Sequence, residues 1–290
     1  MDGLFVSHFL NGFLMIAMPV GLAIVLTRVW KLSWKFWLVG AAVFILSQVG
    51  HIPFNSLMSS LLNKTGLVDW PKNAQTIFNF TFLGLSAGLF EEFSRYAMFR
   101  WWLKDGHTWR RAVLAGAGHG GAEAIILGAI VLLTFFQMSA YRNVDLTGLF
   151  PAGQLELAKQ QVSAYWSLPW YLALLGALER LLTIPVHIAM SVLVVQSFIK
   201  EKFYWVWLAV LLHAFSDFIA LFVAQNYGVY WAEAAIGGVT AICLIIIFLL
   251  RQPEPIQAIQ VHPDLSPVPV DGYTKPVEET AENLDNSKFQ

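Results

Sequence analysis

Apolar stretches near the ~20 residues that cross a bilayer as a helix recur along almost the whole of this sequence. They read as seven spans at about 5–27, 36–52, 77–103, 112–138, 169–198, 203–224 and 230–250. The third and fifth are long enough to tilt or protrude, and Pro185 is expected to bend the fifth. Charged residues make up 13% of the 290, against roughly 25% in a soluble domain. Residues 251–290 hold ten of the 37 charged residues, so 27 serve the first 250. The chain therefore reads as an all-α polytopic integral membrane protein, expected in a bacterial plasma membrane. The formal net charge of −1 offers no basic field for nucleic acid. A single cysteine, Cys243, excludes an intrachain disulfide framework and any cysteine-cluster metal site.

Short loops rich in Lys and Arg stay cytoplasmic. One set of loops and span edges holds ten such residues: Arg28, Lys31, Lys35, Arg100, Lys104, Arg110, Arg111, Lys200, Lys202 and Arg251. The other holds four: Lys64, Lys72, Arg142 and Lys159. This places the N-terminus outside and the C-terminus in the cytoplasm, as seven spans require. Tryptophans agree, because all twelve fall near proposed edges or loops. The start opens on Asp2 rather than a basic stretch and has no small-residue cleavage site, so the first span is expected to remain as an anchor. The segment Gln154 to Trp166 is expected to form a helix on the outer surface. Two regions follow: a seven-span domain over 1–250, and an acidic, proline-containing tail over 251–290 that is expected to be disordered.

Ionisable groups inside the spans cost at least ~2.5 kcal/mol each on insertion scales, so each needs a reason. The third span carries Glu91, Glu92 and Arg95, and the fourth His119 and Glu123. The fifth carries Glu179, Arg180 and His187, and the sixth His213 and Asp217. Residues three or four apart share a helix face, so the third, fourth and sixth spans each present a polar stripe. At about 1.5 Å per residue from the inner edges, Glu92, Glu123 and His187 lie roughly 17 Å deep, with Arg95, His119, His213 and Asp217 within a turn or so of that level. The shared level falls in the cytoplasmic half. Glu179 and Arg180 come out deeper, as a separate outer pairing or a support.

Structural roles exist for each group alone. Glu92 and Arg95 can neutralise one another, His119 can be an interior hydrogen-bonder, and Asp217 can merely orient His213. The glycines Gly116, Gly118, Gly120 and Gly121 can serve close helix packing. His51 and His107 fall at loop edges and read as incidental. Together, though, paired carboxylates and imidazoles at one depth suit hydrolysis. Glu91 or Glu92 can act as a base for water, with Arg95 holding one carboxylate ionised. Imidazoles can stabilise an oxyanion. Alternatively His187, His213 and a carboxylate can bind Zn2+.

The order Glu91-Glu92-x-x-Arg95, His119-x-x-x-Glu123, His187, His213-x-x-x-Asp217 resembles the YhfC family of intramembrane proteases. That family is grouped with PrsW, the CAAX-processing (CPBP or Abi) membrane peptidases and the Aph-type scaffold of gamma-secretase. Arg180-Leu-Leu-Thr-Ile-Pro-Val-His187 is similar to the PrsW-type Arg…Pro…His run. The resemblance covers roughly residues 1–250. It implies an intramembrane endopeptidase with Glu91 or Glu92 as the water base. It also implies His187 and His213 as oxyanion stabilisers or metal ligands, Asp217 orienting His213, and Glu123 completing the set. The sequence departs from the CAAX type in having Glu123 where those enzymes have His and Asp217 where they often have Asn. His119 also replaces an aromatic residue. The substrate class implied is a membrane protein or membrane-proximal peptide. Intramembrane Glu, His and Asp chains also mark proton-coupled transporters, and the Aph-type relative is a non-catalytic scaffold, so both remain as alternatives.

Overall fold

The computed structural model describes residues 2–253. The expectation of a disordered tail lies, from residue 254 onward, outside the described residues. Among them are eight α-helices: α1 (Gly3–Trp30), α2 (Lys35–Lys64), α3 (Lys72–Ala97), α4 (Trp109–Tyr141), α5 (Ala152–Trp166), α6 (Leu175–Ile199), α7 (Tyr204–Tyr227) and α8 (Val229–Leu249). Six of these, α1, α2, α4, α6 with its preceding turn, α7 and α8, are long and apolar enough to cross a membrane. The protein is a multi-pass, all-helical membrane protein.

The seventh expected span is α3. At about 1.5 Å per residue its 26 residues reach ~39 Å, but it is too polar to qualify on composition. Its polar groups face neighbouring helices: Glu91, Glu92 and Arg95 are all buried. It lies along α7 so closely that a Cβ on Gly88 would sit 2.7 Å from the Val210 carbonyl oxygen. After Ala97 the chain widens into an i→i+5 turn over Met98–Trp102, closed by the Leu103 N–H donating to the Met98 carbonyl at 2.9 Å.

Several boundaries differ from the sequence reading. α2 continues to Lys64, well past residue 52. Pro53 does not end it, because Phe54 stacks near Phe82 and Phe90 (6.1 and 5.2 Å) and ties the extension to α3. His51 is thus inside a helix, not at a loop edge. α6 begins at Leu175, after a tight turn over Leu172–Leu174. The segment expected to be helical between Gln154 and Trp166 is helical, as α5. Trp166 at its end donates to the Met138 carbonyl (3.0 Å), and the Arg142 guanidinium lies 4.1 Å from the Trp166 ring centre.

The core centres on α4, packed against α1, α2 and α6. A Cβ on Gly118 would lie 2.0 Å from the Trp37 carbonyl oxygen, and one on Gly40 would lie 2.0 Å from that of Ala115. Only glycine lets the α2 and α4 backbones meet this closely. On another face of α4, Gly120 lies against the His187 ring. The glycine run therefore sets the distance between the polar residues of three helices.

Candidate functional site

Glu91 is the meeting point of four helices. Its Oε1 accepts from Gln48 Nε2 of α2 at 2.9 Å. Its Oε2 lies 3.0 Å from His119 Nε2 of α4, 3.5 Å from the Arg95 guanidinium one turn along α3, and 3.9 Å from His213 Nε2 of α7. Glu92 is fully buried. Its Oε1 pairs with Arg95 and accepts from His213 Nδ1 at 2.7 Å. Arg95, also fully buried, donates to His187 Nδ1 of α6 at 2.8 Å.

These partners fix the imidazole tautomers. His187 accepts at Nδ1, so its Nε2–H donates to Glu123 Oε2 at 2.7 Å. His213 donates from Nδ1 to Glu92, which turns its Nε2 toward Glu91 and toward Asp217 Oδ2, 3.6 Å away. A carboxylate behind an imidazole holds its orientation. The partner that orients His213 is therefore Glu92; at 3.6 Å Asp217 is beyond hydrogen-bond reach.

A cavity of about 330 Å³ opens onto this cluster. Glu91, Glu123, His187, His213 and Asp217 line it, while Glu92, Arg95 and His119 are not among its lining residues. All eight site residues expected from the sequence thus gather in one place, five at the wall. The cavity continues past Ser216 and Thr183 to Glu179 and Arg180. Arg180 donates to Glu123 Oε1 at 2.7 Å and pairs with Glu179. This pair is a support for the cluster, not a separate outer pairing.

The sequence reading missed a polar rail on α2. His51 Nδ1 donates to Gln48 Oε1 (3.3 Å), and its Nε2 accepts from Asn55 Nδ2 (2.8 Å) and lies 3.0 Å from Ser86 Oγ. The rail holds the amide that binds Glu91. Its signal was present: Gln48, His51 and Asn55 follow the i, i+3, i+7 spacing of one helix face. Ending the second span at residue 52 concealed it.

Glu91, His119 and His187 each offer a ligand atom, all within 4.8 Å of one another. Two imidazoles and a carboxylate form a known donor set of catalytic zinc sites. His119 Nδ1 is buried without a hydrogen-bond partner. By donor type these residues fit a divalent metal. The set differs from the expected His187–His213 pair: His119 stands in place of His213, and His187 would give up its bond to Arg95 or to Glu123 to act as a ligand.

A family model described as "YhfC intramembrane metalloprotease" matches residues 14–250. A Bacillus subtilis (strain 168) protein, described as "Uncharacterized membrane protein YhfC", is 28% identical over 214 residues, which cover 71% of this chain and 79% of the relative. No solved structure matches the chain.

Proposed function

The chain belongs to the YhfC intramembrane metalloprotease family, and we propose that it hydrolyses peptide bonds of membrane proteins or membrane-proximal peptides inside the bilayer. The observation that carries this reading is the exposure of Glu91 to the cavity while four helices hold it. Glu92 is shut away behind it. Glu91 Oε2 and His213 Nε2, 3.9 Å apart, are two acceptors that one water molecule can bridge. Its oxygen then attacks the peptide carbonyl carbon while its proton passes to this pair. As the C–N bond breaks, the proton is returned to the departing amine. Glu92 keeps His213 in the tautomer this requires. Arg95 holds Glu91, Glu92 and His187 in register, and Glu123 with Arg180 holds His187 from the other side.

A divalent metal such as Zn2+ would be held by Glu91, His119 and His187, and when bound would supply Lewis-acid polarisation of the carbonyl. His213 Nε2 is then the remaining acceptor for the water proton.

The reacting groups lie in the half of the bilayer that the charge count assigns to the cytoplasm. The cavity reaches them from the other end: along α6 its lining runs from Met190 back to Glu179, about 16 Å at the helical rise. The substrate is therefore expected to enter from the end of the bundle where α6 and α8 begin. The test is to compare the membrane-protein N-termini generated in cells expressing wild type and Glu91→Gln. Loss of a general base lowers turnover on the order of 10²–10⁴-fold, so wild-type-specific N-termini are expected to vanish in the variant. Identical sets in both would overturn the assignment.

A further inference from the structure

Taking Glu91 as the reacting carboxylate of the hydrolysis described above, we propose that Gln48 and His51 of α2 are positioning residues for it. They hold one oxygen of Glu91 and so commit the other to the chemistry. The two oxygens have separate surroundings. Oε2 faces His119 Nε2, the Arg95 guanidinium and His213 Nε2, at 3.0, 3.5 and 3.9 Å. Oε1 accepts from Gln48 Nε2 at 2.9 Å. The terminal torsion of a glutamate is broad and roughly two-fold, so a carboxylate with one oxygen free can turn and exchange the two. Gln48 removes that freedom. Neither Gln48 nor His51 is among the cavity's lining residues, so both act through Glu91 and not on a substrate.

The direction of the chain is dictated from Glu91 outward. An ionised carboxylate only accepts, so the Gln48 amide must present its NH2 group to it; the same nitrogen also reaches Ser47 Oγ at 3.3 Å. Gln48 Oε1 then faces His51 Nδ1 at 3.3 Å, and that nitrogen must carry the hydrogen. A neutral imidazole has one donor and one acceptor. His51 Nε2 is therefore the acceptor, with the Asn55 amide and the Ser86 hydroxyl 2.8 and 3.0 Å away. Every bond from Asn55 to Glu91 donates toward the carboxylate, and chained hydrogen bonds polarise one another. Docking of α2 does not need this chain. Phe54 against Phe82 and Phe90, and Gly40 against Ala115, already tie the helix to α3 and α4. The His51 ring also packs on Phe90, with centres 5.5 Å apart, so it has a packing role and a donor role that substitution can separate.

Phenylalanine at position 51 keeps the ring and loses the donor. Asparagine, whose Nδ2 stands near the place of Nδ1, loses the ring and keeps the donor. Initial rates of appearance of the wild-type-specific N-termini, per amount of expressed protein, are compared in cells for Gln48→Leu, His51→Phe, His51→Asn and Glu91→Gln. Each full-length protein is also melted in detergent. Loss of a group that orients a reacting carboxylate lowers activity on the order of 10–100-fold, the fall expected for Gln48→Leu. His51→Asn should cleave faster than His51→Phe while melting no higher than it does. Wild-type rates in Gln48→Leu, or cleavage by His51→Phe as fast as by His51→Asn, overturn the positioning role while Glu91→Gln remains inactive. Persistence of the N-termini in Glu91→Gln instead removes the peptidase reading, and this role with it.

Discussion

Replacing Arg95 by methionine tests whether the site is built around one buried cation. The guanidinium has no exposed surface, pairs with Glu92, lies 3.5 Å from Glu91 and donates to His187 at 2.8 Å. Methionine keeps most of the length and removes the charge. Deleting one partner of a buried ion pair costs about 3–5 kcal/mol, chiefly because the remaining charge stays buried and uncompensated. For a chain of this size 1 kcal/mol moves the melting temperature by about 2–4 °C, so the expected drop is on the order of 6–20 °C. Twelve tryptophans make intrinsic fluorescence in detergent a suitable readout. The decisive arm is a double-mutant cycle. Glu92→Gln removes the stranded carboxylate, so Arg95→Met/Glu92→Gln should melt higher than Arg95→Met alone, with a coupling of about 0.5–3 kcal/mol. A loss below about 1 kcal/mol for Arg95→Met, or additive effects in the double variant, would refute the claim that this cation organises the cluster.

Gly118→Ala should be destabilising by about 1–3 kcal/mol, as overpacking is. Its Cβ would start 2.0 Å from the Trp37 carbonyl oxygen and so drive α2 and α4 apart by more than 1 Å. The control Gly237→Ala, with nothing within 4 Å, should melt as wild type does; equal effects of the two would contradict the close-contact account. Metal analysis of purified protein should find about one zinc per chain, reduced in His119→Ala and in His187→Ala but retained in Asp217→Asn. Retention of zinc in both histidine variants would remove these donors from consideration. At the surface, Asp2 accepts from Arg142 at 2.6 Å and from the Leu4 N–H at 3.1 Å, and these bonds hold its carboxyl below the usual carboxylate range. Its stabilisation is present above the ordinary Asp pKa of about 4 and is lost as pH falls through the lowered folded value. The melting difference between wild type and Asp2→Asn should therefore be visible near neutral pH and close in strong acid. A difference independent of pH would rule out this pairing.

The apolar runs made the helical, multi-pass architecture legible, because length and lack of charge are local properties. Helix-face arithmetic was equally local, and it placed Glu91, Glu92 and Arg95 together, as the structure does. What the sequence concealed depends on contacts between helices. The extension of α2 past Pro53 is held by Phe54 against Phe82 and Phe90 of α3. The partner of His213 is Glu92, 121 residues away, rather than Asp217 one turn along. Arg180 looked too deep to join the cluster, yet its long side chain reaches Glu123. The polarity of α3 gave its chemistry away, and for the same reason composition alone does not qualify it as a span.

The charge balance of the cluster bears on the proposed metal reading. Five carboxylates, Glu91, Glu92, Glu123, Glu179 and Asp217, are linked by ion pairs to two guanidinium groups, Arg95 and Arg180, and to three imidazoles. With the imidazoles neutral and the carboxylates ionised, negative charge is in excess by three. In a low-dielectric bundle such an excess costs several kcal/mol unless protons or a metal offset it. Arg95 already sits against Glu91, Glu92 and His187, so a dication held by Glu91, His119 and His187 would compete with its guanidinium at two of these donors. On the proposed hydrolysis, His213 and Asp217, which line the cavity and lie outside that donor set, would be left to face the substrate carbonyl and its water.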